Sequence, residues 1–281
     1  MTVINTNVQS LIAQQSLTVN NRSLSKAMEQ LSTGKRINSA ADDAAGLAIS
    51  NKMTAQIRGL NQAVRNANDG ISLLQTAEGA TQEITNMLQR MRELAVQASN
   101  GTYSSADSTS LDEEFQQLSD EITRISTNTQ WNGMKLFNAD ADNYIGDADD
   151  EVVFQVGMNG ETDDTVSITM QSLDAATLAV DTEDLTSTEN ARGAISVLDT
   201  ATATVDTFRS ELGAKVNRLN YAADNLTNVS TNTEASRSRI MDTDYAKATT
   251  EMTKGQIIQQ ASTAMLAQAN KMPQSVLSLL Q

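Results

Sequence analysis

The chain has 281 residues and a formal charge of −15, with 3% aromatic residues, one proline, and neither cysteine nor histidine. Without thiolate or imidazole, zinc, haem and iron–sulfur centres lose their usual ligands, and nucleophilic dyads and triads built on Cys or His are excluded. The charge is unevenly placed, with a net of +2 over residues 1–100, −18 over 101–190 and +1 over 191–281, which makes nucleic acid and anionic membrane poor partners for the middle.

The segment Met1–Val8 has neither a basic region nor an apolar stretch, so no Sec leader is expected. No apolar run nears the ~18 residues that span a bilayer. Residues 1–33 place Ile4, Val8, Leu11, Leu17, Leu24, Met28 and Leu31 at helical spacing among Gln, Asn, Ser and Thr. Such a thin stripe makes a helix that is marginal alone in water and needs a partner. Gly34 and Asn38-Ser39 predict a break, and Asp42 and Asp43 suit the N-terminus of the next helix.

That helix carries the strongest pattern in the chain. Ile57, Leu60, Val64, Ala67, Ile71 and Leu74 recur at steps of 3, 4, 3, 4 and 3, a heptad rhythm. After one shortened step to Ala77 the rhythm resumes at Thr81, Ile84, Leu88, Met91, Ala95 and Ala98. At ~1.5 Å per residue this seam is roughly 60 Å long and needs partner helices. Asn68-Asp69-Gly70 is a turn signal, yet the heptad stays in phase across it, which predicts uninterrupted helix. Leu94 falls off the 88/91/95 seam and is expected to be exposed, beside Gln89, Arg90, Arg92, Glu93 and Gln97.

Asn100-Gly101 predicts the end of this helix. Ser110-Leu-Asp-Glu113 reads as a capping box opening a helix through Leu111, Phe115, Leu118, Ile122 and Ile125. Trp131-Asn-Gly-Met134 reads as a turn. The period then changes to 2 at Val152, Phe154, Val156 and at Val166, Ile168, Met170, which predicts a β-hairpin. Residues 171–186 read as polar and irregular. Thr186-Ser-Thr-Glu189 reads as another capping box and opens a long helix with Ile195, Leu198, Thr202, Val205, Phe208, Leu212, Val216, Leu219, Ala223 and Leu226, the partner of the first seam. The C-terminal stripe is thin again: Ile240, Met252, Ile257, Ala261, Met265, Leu277, Leu280. The fold class expected is mainly α, with long antiparallel helices in a coiled-coil bundle and a small β-hairpin region in the middle. The two chain ends should lie together.

Asp140, Asp142 and Glu151 occupy positions 1, 3 and 12 of an EF-hand-like loop, but position 6, which needs Gly, is Ile145. A solvated acidic loop is the better reading, and no cofactor or metal is expected. The carboxylates of that run lack the apolar neighbours that would raise a pKa for acid–base work.

Several long motifs resemble bacterial flagellin. They are Leu31-Ser-Thr-Gly-Lys-Arg-Ile-Asn-Ser-Ala-Ala-Asp-Asp-Ala-Ala-Gly46, Arg65-Asn-Ala-Asn-Asp-Gly-Ile-Ser72, Gln89-Arg-Met-Arg-Glu-Leu-Ala-Val-Gln97, Ser236-Arg-Ser-Arg-Ile240, Leu266-Ala-Gln-Ala-Asn270 and Pro273-Gln-Ser-Val-Leu-Ser-Leu-Leu280. The resemblance covers about 1–138 and 188–281. It implies a non-enzymatic filament subunit that self-assembles for swimming motility, is exported unfolded by the flagellar type III apparatus, and is polymerised at the distal tip into an extracellular filament. Residues 1–43 with 236–281 would form a terminal coiled-coil core domain on assembly, and 44–235 a helical shell domain with a hairpin near 151–171. The family's large variable outer domain would be absent, since about 50 residues separate Phe137 from Asn190. Implied partners are other copies of the chain, an export chaperone, the filament cap, hook-associated junction proteins and the Toll-like receptor of flagellin, but not nucleic acid or membrane. Receptor contact would map to Gln89, Arg90, Leu94 and Glu114, with Gln97 on the same face. Polymerisation would use Ile4, Val8, Leu11, Leu24, Leu31, Ile257, Met265, Leu277 and Leu280. A hook–filament junction protein of the same superfamily is the alternative. The metalloprotease insertion of some flagellins needs H-E-x-x-H, and there is no histidine here.

Overall fold

The computed structural model describes residues 6–137, 144–145 and 151–278, without the side chains of 162 and 272–278. Ile4, Leu280 and most of the acidic run from Asp140 to Asp150 therefore lie outside the described residues, as does the side chain of Leu277. Among the described residues there are five helices, α1 (Val8–Thr33), α2 (Ala44–Ala98), α3 (Ser105–Asn128), α4 (Thr188–Met241) and α5 (Tyr245–Ser278). The same residues hold two small antiparallel hairpins: β1 (Gln130–Trp131) with β2 (Met134–Lys135), and β3 (Glu151–Gln155) with β4 (Thr165–Thr169). The residues form two compact units, Met1–Ile57 with Thr231–Gln281, and Arg58–Ser230.

In the unit Arg58–Ser230, α2 and α4 run antiparallel in one constant register. Asn61 accepts from the Ser230 hydroxyl at 3.0 Å, Gln82 accepts from Arg209, and Asp199 accepts from Arg92 Nε at 2.6 Å. In each pair the two residue numbers sum to 291, so the helices keep step from residue 61 to residue 92. Between them lies a continuous core from Ala67 to Leu219, including Leu74, Leu88, Met91, Phe115, Leu198 and Phe208. The Asn68-Asp69-Gly70 stretch is helical throughout, as the unbroken heptad requires. Gly70 has a packing reason: a Cβ there would stand 2.9 Å from the Phe154 ring. Gly59 makes similar room for Met158, and Asn66 donates to the Gln155 carbonyl at 3.1 Å between them. One face of α2 thus seats the β3–β4 hairpin. Gly70→Ala is expected to destabilise this unit by about 1 kcal/mol, because overpacking against Phe154 outweighs the gain in helix propensity. A denaturant midpoint unchanged or raised in Gly70→Ala would show that the ring yields freely.

Four expectations are corrected. Leu94 is 1% exposed and belongs to the core. A nearly straight α-helix drifts against a 3.5-residue repeat, so a two-residue seam widens into a stripe that takes in Leu94 as well as Leu73. The capping box of α3 is Ser104 with Asp107, one and a half turns before Ser110, which sits within the helix. Asp112 instead accepts from Leu185 N at 2.7 Å. Residues 171–186 are irregular but not a surface loop, since Leu173, Ala175, Leu178, Val180 and Leu185 are all buried. Gln116 donates to the Glu183 carbonyl at 3.0 Å, so α3 carries this segment as a backbone strap. The capping box expected at Thr186 and Glu189 is displaced by one residue: α4 is capped by Ser187, whose hydroxyl accepts from Asn190 N at 3.1 Å.

The Trp131–Met134 turn closes β1 on β2 with Asn132 at φ 48° and Gly133 at φ 82°. Two consecutive left-handed residues are what a two-residue hairpin needs, and Asn-Gly supplies them at low strain.

In the other unit α1 and α5 run antiparallel, with Cα atoms approaching within 8 Å along the pair. On α5 the less exposed positions are Ala248, Met252, Gly255, Gln259, Ser262 and Leu266, a heptad rhythm of mostly small or polar residues. Opposite them on α1 lie Ala13, Leu17, Asn20, Leu24 and Ala27. The end of α1 is tied to the α4–α5 corner. Gly34 takes φ 70° and its N–H caps Gln30 O, Arg36 N donates to Met241 O at 2.6 Å, and Thr243 N donates to Gly34 O at 3.0 Å. A Cβ on Gly34 would stand 3.0 Å from the Tyr245 hydroxyl, so two independent constraints hold that position to glycine.

Candidate assembly and recognition surfaces

The terminal pair distributes its apolar residues unevenly. Its inner seam is poor in large side chains, while α1 leaves Val8, Leu11, Ile12 and Val19 exposed and α5 leaves Ile257, Ile258 and Met265 exposed. Leu11 is 55% exposed, Ile257 61% and Met265 66%. Of the residues expected to drive polymerisation, Val8, Leu11, Ile257 and Met265 face outward. Leu24 is buried against α5 and Leu31 is half-buried. The C-terminal stripe is therefore two stripes: Met252 lies on the seam with α1, and Ile257 and Met265 lie away from it. Isolated exposed apolar residues are ordinary, but a run of them on a paired helix marks a surface that a partner covers.

Beside the start of α2, Asp43 accepts from Gly46 N at 2.8 Å and caps the helix. Asp42 accepts from the Asn38 and Ser39 N–H groups and pairs with Lys26 Nζ at 2.8 Å. The Lys26 ammonium and those N–H donors hold the Asp42 carboxyl well below the usual carboxylate range. Stabilisation from a depressed carboxylate is present above its unfolded pKa, about 3.9, and is lost as pH falls through the lower folded value. In Lys26→Met the Asp42 carboxyl carbon is expected to titrate at higher pH than in the parent, by NMR. Coincident curves would mean that Lys26 is too solvated to matter. A shallow cleft of about 460 Å³ adjoins this pair, lined by Thr18, Arg22, Glu29 and Ser39.

On α2 in the other unit, Gln89, Arg90, Glu93 and Gln97 are exposed above the buried Leu88–Met91–Leu94 layer. Arg90 donates through Nε and Nη2 to Glu114 on α3 at 2.9 and 2.8 Å, and through Nη1 to Glu93 at 3.0 Å. Donating to Glu114, and then to Glu93, raises the Arg90 pKa further. Gln97 donates to the Tyr103 hydroxyl at 3.2 Å. The structure brings Gln89, Arg90, Gln97 and Glu114 to one ridge, with Leu94 beneath it. Sequence reasoning missed Tyr103, which only the α2–α3 connection places there.

The profile of the bacterial flagellin N-terminal helical region matches residues 4–142, and that of the bacterial flagellin C-terminal helical region matches residues 195–280. A flagellin of Halalkalibacterium halodurans is 50% identical over 279 residues, covering 99% of this chain and 100% of the relative. Among solved structures, Bacillus cereus flagellin aligns with a TM-score of 0.52 at 32% identity, over 62% of this chain and 94% of that one. A putative flagellar hook-associated protein of Vibrio parahaemolyticus aligns with a TM-score of 0.61 at 14% identity, over 72% of this chain and 100% of that one, a likeness of fold alone. Paired terminal helices with an outward apolar face, long partnered seams and these matches agree: the chain belongs to the bacterial flagellin family and is a structural subunit of the extracellular flagellar filament.

Proposed function

We propose that the chain polymerises by covering the outward stripes of α1 and α5 with the same helices of further copies. One observation carries the reading: most of the large apolar residues of the terminal pair, Val8, Leu11, Ile12, Val19, Ile257, Ile258 and Met265, are exposed rather than covered by their own partner helix. A helix pair whose inner seam is small and polar is weak alone, so ordering and association are coupled. Repeated head-to-tail contact that does not close gives an open helical polymer. Purified protein is expected to grow long filaments visible by electron microscopy. Growth only from added junction proteins, or short capped assemblies, would favour the hook–filament junction role.

Export as an unfolded chain fits the absence of cysteine, since no disulfide resists unfolding. An export chaperone would cover the terminal stripes before assembly, and a cap protein would hold subunits at the tip while they pair. The receptor reading rests on the Gln89–Arg90–Gln97–Glu114 ridge, which is solvent-accessible in the single chain. Leu94 supports that ridge from below. The same ridge would meet neighbouring subunits in the filament and so be available to the receptor only in the monomer. Arg90→Ala is expected to lower receptor signalling while leaving the thermal transition nearly unchanged, because Arg90 pairs with Glu114 in solvent. Full signalling by Arg90→Ala would move the contact elsewhere.

A further inference from the structure

The inner seam of the terminal pair has a register problem, and two asparagines stand where it is solved. The seam of Ala, Met, Gly, Gln, Ser and Leu opposite Ala, Leu and Asn holds only two large apolar side chains from each helix, Met252 and Leu266 facing Leu17 and Leu24, so a slip of one heptad forfeits few apolar contacts. Packing alone specifies register weakly in such a pair. Asn20 Nδ2 donates to Gly255 O at 2.8 Å, and Asn7 Nδ2 donates to Ala269 O at 2.8 Å. Both acceptors are helix carbonyls, each with a second lone pair for such a donor. The approach is close because Gly255 has no side chain: a Cβ there would stand 3.3 Å from Leu24 Cδ1 and 3.8 Å from Asn20 Oδ1. A slip of one heptad brings Ser262 or Ala248 to that place. Their Cβ atoms press on Leu24 and hold the backbone away from Asn20.

We propose that Asn20 against Gly255, seconded by Asn7 against Ala269, is the pin that fixes the register of α1 on α5. These are positioning residues: they add little to the outward stripe and decide which outward residues stand side by side. The proposal rests on the polymerisation reading for its consequence, since a slipped pair would present Leu11 and Ile257 out of step to the next copy.

The absence of cysteine makes register directly readable. In the observed register Ala13 lies across from Ser262, and one heptad of slip carries it to Ala269. An Ala13→Cys/Ser262→Cys pair is expected to form an intrachain disulfide on oxidation, and an Ala13→Cys/Ala269→Cys pair is not. Adding Asn20→Leu, close in shape and unable to donate, is expected to raise the 13/269 cross-link about fivefold, the change in a two-state ratio that one net hydrogen bond supports. Asn20→Gln, which keeps a donor, is expected to restore part of the native pattern. A pattern identical with Asn or Leu at 20 overturns the pin. If Asn20→Leu fails to polymerise, oxidising the 13/262 pair beforehand is expected to restore growth, because the covalent tie then sets register; no restoration also overturns it. Cross-links are scored in soluble chain and in filament separately. An unsubstituted chain that never polymerises counts against the polymerisation reading and leaves the cross-linking result to stand by itself.

Discussion

Removing residues 240–281, or residues 1–33, is expected to abolish polymerisation while Arg58–Ser230 keeps its fold. Every described residue of the hydrophobic core from Ala67 to Leu219 lies within Arg58–Ser230, so this unit carries its own core. The outward stripe depends on them entirely. Covering a Leu, Ile or Met side chain contributes about 1.5–3 kcal/mol, and each 1.4 kcal/mol is about tenfold in an association constant. If a neighbouring copy buries them, Val8, Leu11, Ile257 and Met265 together would contribute several orders of magnitude to subunit affinity. A gentler form of the experiment keeps the chain intact: Ile257→Asp with Met265→Asp places two carboxylates where a neighbour would bury methyl groups, and a buried unpaired charge is more costly than a missing contact. Sedimentation and electron microscopy report assembly, and the thermal transition by circular dichroism reports the folded unit. Filaments of normal length from either variant would sink the assignment of this stripe to assembly. Loss of the thermal transition as well would mean that the terminal helices support the other unit.

Where a periodic pattern had one solution, the sequence disclosed the structure. The seams of α2 and α4 named each other as partners, because two long narrow stripes with no other apolar face to cover can only be buried together. The period-2 segments became β3 and β4. Flagellin-like motifs at both ends identified the family before any geometry was known. What stayed hidden has local physical causes. Leu94 was misplaced because a heptad count treats the helix as a seam two residues wide, while packing against both α3 and α4 covers a broader arc. The strap at 171–186 contributes Leu173, Leu178, Val180 and Leu185 to the core without regular backbone, so no period announces it. Its polar residues satisfy turn geometry instead: Asp174 Oδ1 accepts from Thr177 N at 3.0 Å. The box at Ser110 was a false signal, since Ser104 and Asp107 match the same pattern nearer the loop. The two stripes of α5 could not be separated by composition, because the face turned to α1 is the less apolar one. The contacts of Asn20 with Gly255 and of Asn7 with Ala269 show which face is inward. For the ridge, the sequence supplied the α2 residues but not the partnership with Glu114, whose distance from Arg90 along the chain hides their salt bridge.

Phe208→Ala is expected to destabilise Arg58–Ser230 more than any other single change proposed for that unit. The Phe208 ring on α4 meets Phe137 edge-to-face, with centroids 6.2 Å apart and planes at 78°. Both side chains are buried, at 2% and 0% exposure. Aromatics are scarce in this chain, with four Phe, four Tyr and one Trp, so its remaining core is built mostly from smaller side chains that leave little to collapse into the gap. Deleting a buried Phe side chain costs about 3–5 kcal/mol through lost transfer energy and the cavity that remains. For a unit of this size each kcal/mol lowers Tm by about 2–4 °C, so a fall of roughly 10 °C is expected. The loss should be local in origin. Phe137 stands just after the β1–β2 hairpin, where Leu136 N donates to Thr129 O at 3.1 Å and the Ser126 hydroxyl donates to Phe137 O at 3.4 Å. With Phe208 gone that corner loses its packing partner, and amide exchange there is expected to accelerate first. Phe137→Leu in the Phe208→Ala background should then cost less than in the parent by about 1 kcal/mol, the coupling of an edge-to-face pair. Strictly additive losses would mean that the two rings stabilise the unit independently, through burial alone.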